Sequence, residues 1–425
     1  MNGRRVVRAA LAGLGLIVLL AGAVAALNLR GEDPVDDLLP AGPASAELVA
    51  RGAYLARAGN CIGCHTDRGG VPYAGGRPIE TPFGTVFSSN LTPDPETGLG
   101  AWSASRFWRA LHNGRSRDGR LLVPAFPYPN YTRVTRADAD ALHAFLRSLP
   151  PVAQATPAHA LRFPYDSQLA LALWRALYFR PVAAATETDR AAPAEWRRGA
   201  YLVQGLGHCN ACHASRNALG ASVDPLDLGG GLIPMQNWYA PSLASRAEAG
   251  VHGWDPVQVV ALLKTGIAAQ ASVSGPMAEV VLHSTQYLSD ADLRAMAAYL
   301  QALPEPPAAE PAASAPPTAS GNRLYEKHCA QCHGERGEGV AGIYPRLAGN
   351  RAVTLATPLN AVRIVLEGGF APSTAGNPRP FGMPPFATVL SDDEIAEVLS
   401  AVRNRWGNEA APVSGLEVAR LRGAR

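Results

Sequence analysis

The sequence predicts a mainly α-helical chain of three small domains in tandem, each wrapped around one large covalently held cofactor, behind an N-terminal membrane helix. Three observations carry this expectation. Arg4, Arg5 and Arg8 precede an uncharged run from Ala9 to Leu27. All six cysteines fall into three copies of one pattern, Cys-x-x-Cys-His. Each copy follows the start of a helix and is closed, after a loop-rich stretch, by a second helix with its own start signal. At 425 residues the chain exceeds one small core, and domains of about 100 to 150 residues make it two to four units. Hydrophobic residues at 47% and charged residues at 17% describe a foldable chain, and a net charge of +3 without a basic stripe gives no basis for a nucleic-acid partner.

Residues 1–30 read as a signal anchor or signal peptide. At about 1.5 Å per residue the uncharged run reaches about 28 Å, close to the hydrocarbon thickness of a bilayer and longer than the core of most cleaved signals. The expectation is an uncleaved anchor. Ala23-Val24-Ala25 offers an A-x-A cleavage site, which keeps a cleaved signal as the alternative. In both cases the basic end stays in the cytoplasm and the remainder lies outside.

The repeated motifs are Cys61-Ile-Gly-Cys64-His65, Cys209-Asn-Ala-Cys212-His213 and Cys329-Ala-Gln-Cys332-His333. This is the haem attachment pattern. Two thiols reach the two vinyl groups of one porphyrin, and the next imidazole lies beneath the iron. A zinc ribbon does not require a His directly after the second Cys three times over. A thioredoxin-like motif belongs in alternating strands and helices, a pattern absent here. Three haem c groups with their iron are therefore expected, and in an oxidising location they leave no spare thiol.

A methionine opposite the histidine raises the potential of such a haem. Met383, in Gly382-Met-Pro-Pro-Phe386, and Met277, in Gly275-Pro-Met277-Ala-Glu-Val-Val281, each stand shortly before a terminal helix, where a distal ligand belongs. Met296 falls in the apolar stripe of a helix and reads as core, and Met235 reads as packing in a loop. The first segment breaks the pattern: Phe126, in Pro124-Ala-Phe126-Pro-Tyr128, aligns with Met383. Its iron is then five-coordinate, or bound by His112, His143 or His159, or capped from outside its own domain.

The organisation follows the motifs. Arg51-Gly-Ala-Tyr54-Leu55, Arg198-Gly-Ala-Tyr201-Leu202 and Gly321-Asn-Arg-Leu324-Tyr325 open helices that deliver the cysteines. Thr135-Arg-Ala-Asp138, Ser289-Asp-Ala-Asp292 and Ser391-Asp-Asp-Glu394 start the closing helices, each followed by apolar residues at helical spacing. The Gly-, Pro- and Asn-rich stretches between them form a core only by wrapping a large apolar group. The expected domains are 46–185, 190–303 and 321–408, with a Pro/Ala-rich linker at 304–320 and a tail at 409–425. Gln168 to Arg180 reads as a short helix packed between domains, with a membrane-surface helix as the alternative.

These three units, together with the Met277 stretch running into Ser284-Thr-Gln-Tyr-Leu-Ser-Asp-Ala-Asp292 and Leu366-Glu-Gly-Gly-Phe370 leading into Met383-Pro-Pro-Phe386, give the chain a recognisable likeness. From about Leu48 to Asn408 it resembles the triple-haem cytochrome c subunit of membrane-bound bacterial dehydrogenases for alcohols, aldehydes, sugar acids and N-heterocycles such as nicotinate. The resemblance implies three tandem cytochrome c domains. It implies His65, His213 and His333 as proximal ligands and Met277 and Met383 as distal ones. It also implies electrons arriving from a molybdenum, flavin or quinoprotein catalytic subunit and leaving to membrane quinone or a downstream cytochrome or oxidase. The location implied is the bacterial inner membrane, haem domains in the periplasm. Phe126 departs from the alcohol dehydrogenase pattern and, by resemblance alone, mildly favours a molybdenum-hydroxylase partner. The competing function is a peroxidase-like enzyme acting at the Met-less first haem. A haem sensor needs only one haem, and the sequence has no Ser/His/Asp arrangement, phosphate loop or flavin fingerprint, so a relay is the expectation.

Overall fold

The computed structural model describes residues 3–39, 42–182, 191–222, 227–307 and 314–423. The boundary expected at 185–190 and residues 308–313 of the expected linker lie outside the described residues, as do 424–425 of the expected tail. Internal contacts divide the chain into one unit of residues 1–55, 64–187 and 217–223 and another of residues 56–63, 188–216 and 224–425.

Helices dominate. The first, Gly3–Leu29, is continuous, and its Val6–Leu29 stretch has a mean hydropathy of 2.5. It is long and apolar enough to cross a bilayer, a property shared by signal sequences.

One arrangement then recurs three times. An opening helix, Ala46–Ala58, Ala194–Ala200 or Ala319–His328, leads to a Cys-x-x-Cys-His turn, the second by way of a π-helical turn at Tyr201–Leu206. A closing helix, Arg136–Ser148, Asp290–Gln301 or Asp392–Arg403, packs across the opening one. A glycine sets each crossing. A β-carbon on Gly52 would overlap the Ala141 carbonyl, one on Gly199 the Ala295 carbonyl, and one on Gly321 would press on the Glu397 carbonyl.

The closing helices begin where the start signals predict. Thr135, Ser289 and Ser391 hydroxyls each accept from the backbone N–H three residues on, at 3.2 Å, and Glu394 reciprocates by accepting from the Ser391 N–H at 2.8 Å. In the first two repeats the acid of that start signal also holds the opening helix. Arg51 Nε donates to Asp138 at 2.9 Å, and Arg198 donates to both carboxylate oxygens of Asp292 at 2.8 and 2.7 Å. The Arg-Gly pair thus supplies a latch and a crossing point from adjacent residues. Around the crossings the buried apolar residues are those at helical spacing: Leu142 and Leu146, then Leu293, Met296 and Leu300, then Ile395, Leu399 and Val402. Met296 is core, as its place in the stripe predicts.

Strands are short. Pro78–Thr81, Gly84–Phe87 and Ala160–Leu161 form one antiparallel sheet, and the remaining sheets are two-stranded. Two expectations change. Met235 does not pack: it is exposed, at φ 59°, in the turn between Gly231–Ile233 and Trp238–Ala240. Residues 409–423 are no loose tail, because Gly415–Gly423 is a helix whose Val418, with Val413 before it, is buried in the third core. The fully buried Arg403 ties this end down, donating to the Val353, Leu355 and Ala411 carbonyls at 2.6, 3.0 and 2.9 Å.

Alanine is the better helix former by about 1 kcal/mol. At Gly199 the collision with the Ala295 carbonyl opposes that gain, and overpacking costs about 1 to 3 kcal/mol. The collision wins because a backbone carbonyl cannot rotate away. Gly199→Ala is expected to lower the urea midpoint of its unit, by up to about 2 kcal/mol of stability; a raised midpoint would disprove the tight crossing.

Candidate functional site

The three motifs lie in short helical turns, Cys61–Cys64, Asn210–His213 and Ala330–His333. Helical geometry puts cysteines at i and i+3 on one face, with the histidine one step round. Cys64 is exposed and the other five are half-buried.

The histidines share a partner type that no sequence pattern revealed. His65 Nδ1 lies 2.7 Å from the Ser89 carbonyl, His213 Nδ1 2.7 Å from the Pro241 carbonyl, and His333 Nδ1 2.9 Å from the Pro345 carbonyl. A carbonyl only accepts, so Nδ1 carries the proton and Nε2 keeps its lone pair. Burial pulls all three imidazoles below the ordinary histidine range, against the raising effect of these same bonds. Each ring is therefore neutral, fixed in one tautomer and oriented by a backbone group, as a metal-ligating histidine is.

Burial, with Cys212 adding to it, pushes the Cys209 thiol up to about 12, and burial with Cys332 pushes Cys329 up to about 11. Reactive Cys-x-x-Cys thiols are shifted the other way. Among the described residues no three His, Cys, Asp or Glu side chains converge to hold a metal ion. Two thiols on one face beside a neutral imidazole fit a covalently attached haem and its iron.

Met277 stands in the first turn of the helix Pro276–His283 and Met383 in the strand Gly382–Met383, and the residues just before each meet the segments that support the histidines. Gly275, two residues before Met277, abuts the Trp238 ring. Trp238 begins the strand that leads to Pro241, the support of His213. Met383 pairs with Gly369, and Phe381, two residues earlier, meets Tyr344 at 5.6 Å between ring centroids. Tyr344 adjoins Pro345, the support of His333. Both methionines are half-buried.

In the first segment Phe126 is half-buried with its ring 5.3 Å from that of Tyr131. His112 stacks on Trp108 at 4.4 Å. His143 is buried, stacks on Phe107 at 5.2 Å and is pushed down to about 4 by burial and by Arg147. His159 Nδ1 accepts from the Phe87 N–H at 3.2 Å. His112 and His143 are thus packed on aromatic rings, with His112 Nδ1 and His143 Nε2 buried and without a hydrogen-bond partner among the described residues, while His159 is exposed.

Segments carrying the second and third motifs share an interface. The Asn360 amide accepts from the Tyr239 N–H at 2.9 Å and donates to the Tyr239 carbonyl at 2.7 Å. The Arg363 guanidinium lies 5.0 Å from the Trp238 ring centroid.

A family model described as Cytochrome c matches residues 49–150 and 318–406. The chain is 38% identical over 399 residues to the cytochrome c subunit of the alcohol dehydrogenase (quinone) of Gluconacetobacter polyoxogenes, covering 89% of this chain and 85% of that one. It is 36% identical over 395 residues to the gluconate 2-dehydrogenase cytochrome c subunit of Pantoea cypripedii, covering 88% and 89%. To the fructose dehydrogenase cytochrome subunit of Gluconobacter japonicus it is 34% identical over 444 residues, covering 96% and 87%.

Proposed function

The chain belongs to the family of cytochrome c subunits of dehydrogenases, and on that premise we propose that it is a tri-haem electron relay, not itself an enzyme. The observation that carries this is the threefold Nδ1–carbonyl bond behind the threefold Cys-x-x-Cys-His turn. In this reading the pairs Cys61 and Cys64, Cys209 and Cys212, and Cys329 and Cys332 hold one haem c each. His65, His213 and His333 ligate the irons, and Met277 and Met383 are the distal ligands of the second and third. Bound there, the haems supply one-electron redox chemistry. The protein's residues fix the imidazole tautomer, exclude water and set the potentials through the thioethers. Electrons enter from a dehydrogenase catalytic subunit of molybdenum, flavin or quinoprotein type and leave to quinone or a downstream cytochrome. The glycine crossings support three cytochrome c domains, at 46–185, 190–303 and 321–408. The apolar first helix supports anchoring to the inner membrane with the haem domains in the periplasm.

Mass spectrometry of the denatured chain tests the count: three haem increments are expected, and fewer would sink the proposal. Cys212→Ser should lose one and keep two, since each turn carries its own ligands.

Met277→Ala and Met383→Ala should each lower the potential of one haem by on the order of 0.1 V, within the roughly 0.8 V that axial ligands cover. If both variants titrate like the parent in a redox titration, the distal assignments fail.

With Phe126 in the methionine position, and with His112 and His143 stacked on Trp108 and Phe107, we read the first iron as open at its sixth position. Carbon monoxide added to the reduced protein is expected to bind one haem in three. Phe126→Met should abolish that binding and raise the potential. Binding to none of the three in the parent would show that a protein ligand closes the site.

A further inference from the structure

The helix Gln168–Tyr178 has two apolar sides of different fate. Leu171 and Ala176 are buried, and Arg175, only 2% exposed, locks this side in place. Its guanidinium donates to the Asn28 side chain at 2.9 Å and the Asn113 carbonyl at 2.6 Å, and lies over the Phe179 ring. Asn28 in turn donates to the Ala172 carbonyl at 2.9 Å. The helix is thus fastened across the end of Gly3–Leu29, one residue before that helix stops. On its free side Leu169, Leu173 and Leu177, each one turn apart, are 69%, 47% and 62% exposed, and the nearby Phe163 is 85% exposed.

A span of about 20 residues counted from Val6 leaves the hydrocarbon core near Ala25. Asn28 stands about 5 Å beyond that point at helical rise. The helix is therefore fastened to the anchor at headgroup level, beside the boundary into which interfacial helices bury an apolar face. Its half-buried Trp174 and Tyr178 are the residue types enriched at that level. Water gives three leucines no partner there, whereas lipid does.

We propose that Gln168–Tyr178 is a membrane-surface helix whose Leu169, Leu173 and Leu177 row, with Phe163, enters the outer leaflet beside the anchor. This rests on the reading of Gly3–Leu29 as a retained membrane span. The two helices then fix the tilt of the first motif's segment against the bilayer, where a single span leaves rotation free.

The test uses native membranes containing the whole complex, a bilayer-dissolved photoactivatable diazirine, and peptide mass spectrometry. Label is expected in Val6–Leu29 and at Leu169, Leu173 and Leu177, at least fivefold above that in Arg136–Ser148. The triple variant Leu169→Gln, Leu173→Gln, Leu177→Gln should lose label in 168–178 and keep it in 6–29, with unchanged haem absorbance per chain reporting intact folding. Label in 6–29 but none in 168–178 overturns the proposal and leaves the anchor standing, which is also the result if another protein covers the row. Label in 168–178 without 6–29 supports the surface helix and overturns the anchor; label in neither overturns both.

Discussion

The bond from each motif histidine's Nδ1 to a backbone carbonyl is the constraint on which the rest of the molecule is arranged. It fixes a tautomer, aims Nε2 and ties the Cys-x-x-Cys-His turn to a loop lying 24, 28 or 12 residues downstream. A carbonyl acceptor can do this only if its loop is held, and one polar side chain beside each carbonyl does the holding. Next to Ser89, Asn90 donates to the Val152 carbonyl at 2.7 Å and accepts from the Thr92 N–H at 2.9 Å. Next to Pro241, the Glu248 carboxylate accepts from the Ser242 N–H at 2.6 Å and the Tyr239 hydroxyl at 3.0 Å. Beyond Pro345, Asn408 accepts from the Gly349 N–H at 2.8 Å and donates to the Leu347 carbonyl at 3.0 Å. Loops rich in glycine and proline are thereby ordered by hydrogen bonds where apolar contacts are too few.

The helix crossing is the second constraint, and it acts on the same turn from the other side. Because the opening helix ends in the motif, the point where it touches the closing helix sets where the cysteines stand. Arg51-Gly52 and Arg198-Gly199 determine that point twice over, by close backbone approach and by a charge-assisted latch. The third repeat has Ser320-Gly321 and no such arginine. There the capping box at Ser391, the additional helix Gly415–Gly423 and the carbonyl-satisfied Arg403 hold the closing helix. Arg403 has burial against it, and its hydrogen bonds to three carbonyls in its favour.

Much of this was legible because its signals are local. The start signals at Thr135, Ser289 and Ser391 and the apolar rows after them need only a few residues to be read, and each forms the helix it predicts. The turns carrying the cysteines are equally local. The acceptors Ser89, Pro241 and Pro345 were not legible, since the backbone carbonyl of any residue could serve and their separations differ. Gly52 and Gly199 stand in a visible repeat, but their reason is a carbonyl more than eighty residues away, which a sequence does not display. The helix at 415–423 was missed because Val413 and Val418 are too few to show a period. Met235 misled because an isolated methionine usually packs, and here it tops a turn at positive φ.

The strand Trp238–Ala240 shows how these constraints combine. One end leads to the Pro241 carbonyl that orients His213, and the Trp238 ring leaves room only for hydrogen at Gly275, which precedes Met277. Its middle residue, Tyr239, spends both backbone polar groups on one side chain, the Asn360 amide, in the manner of a neighbouring strand. Asn360 belongs to Leu359–Glu367, the helix before the Gly369–Phe370 strand that pairs with Met383. The backbone orienting the second histidine is therefore the backbone gripped by the third segment. Any displacement of the third segment must therefore break two hydrogen bonds at Tyr239 or carry the His213 acceptor with it.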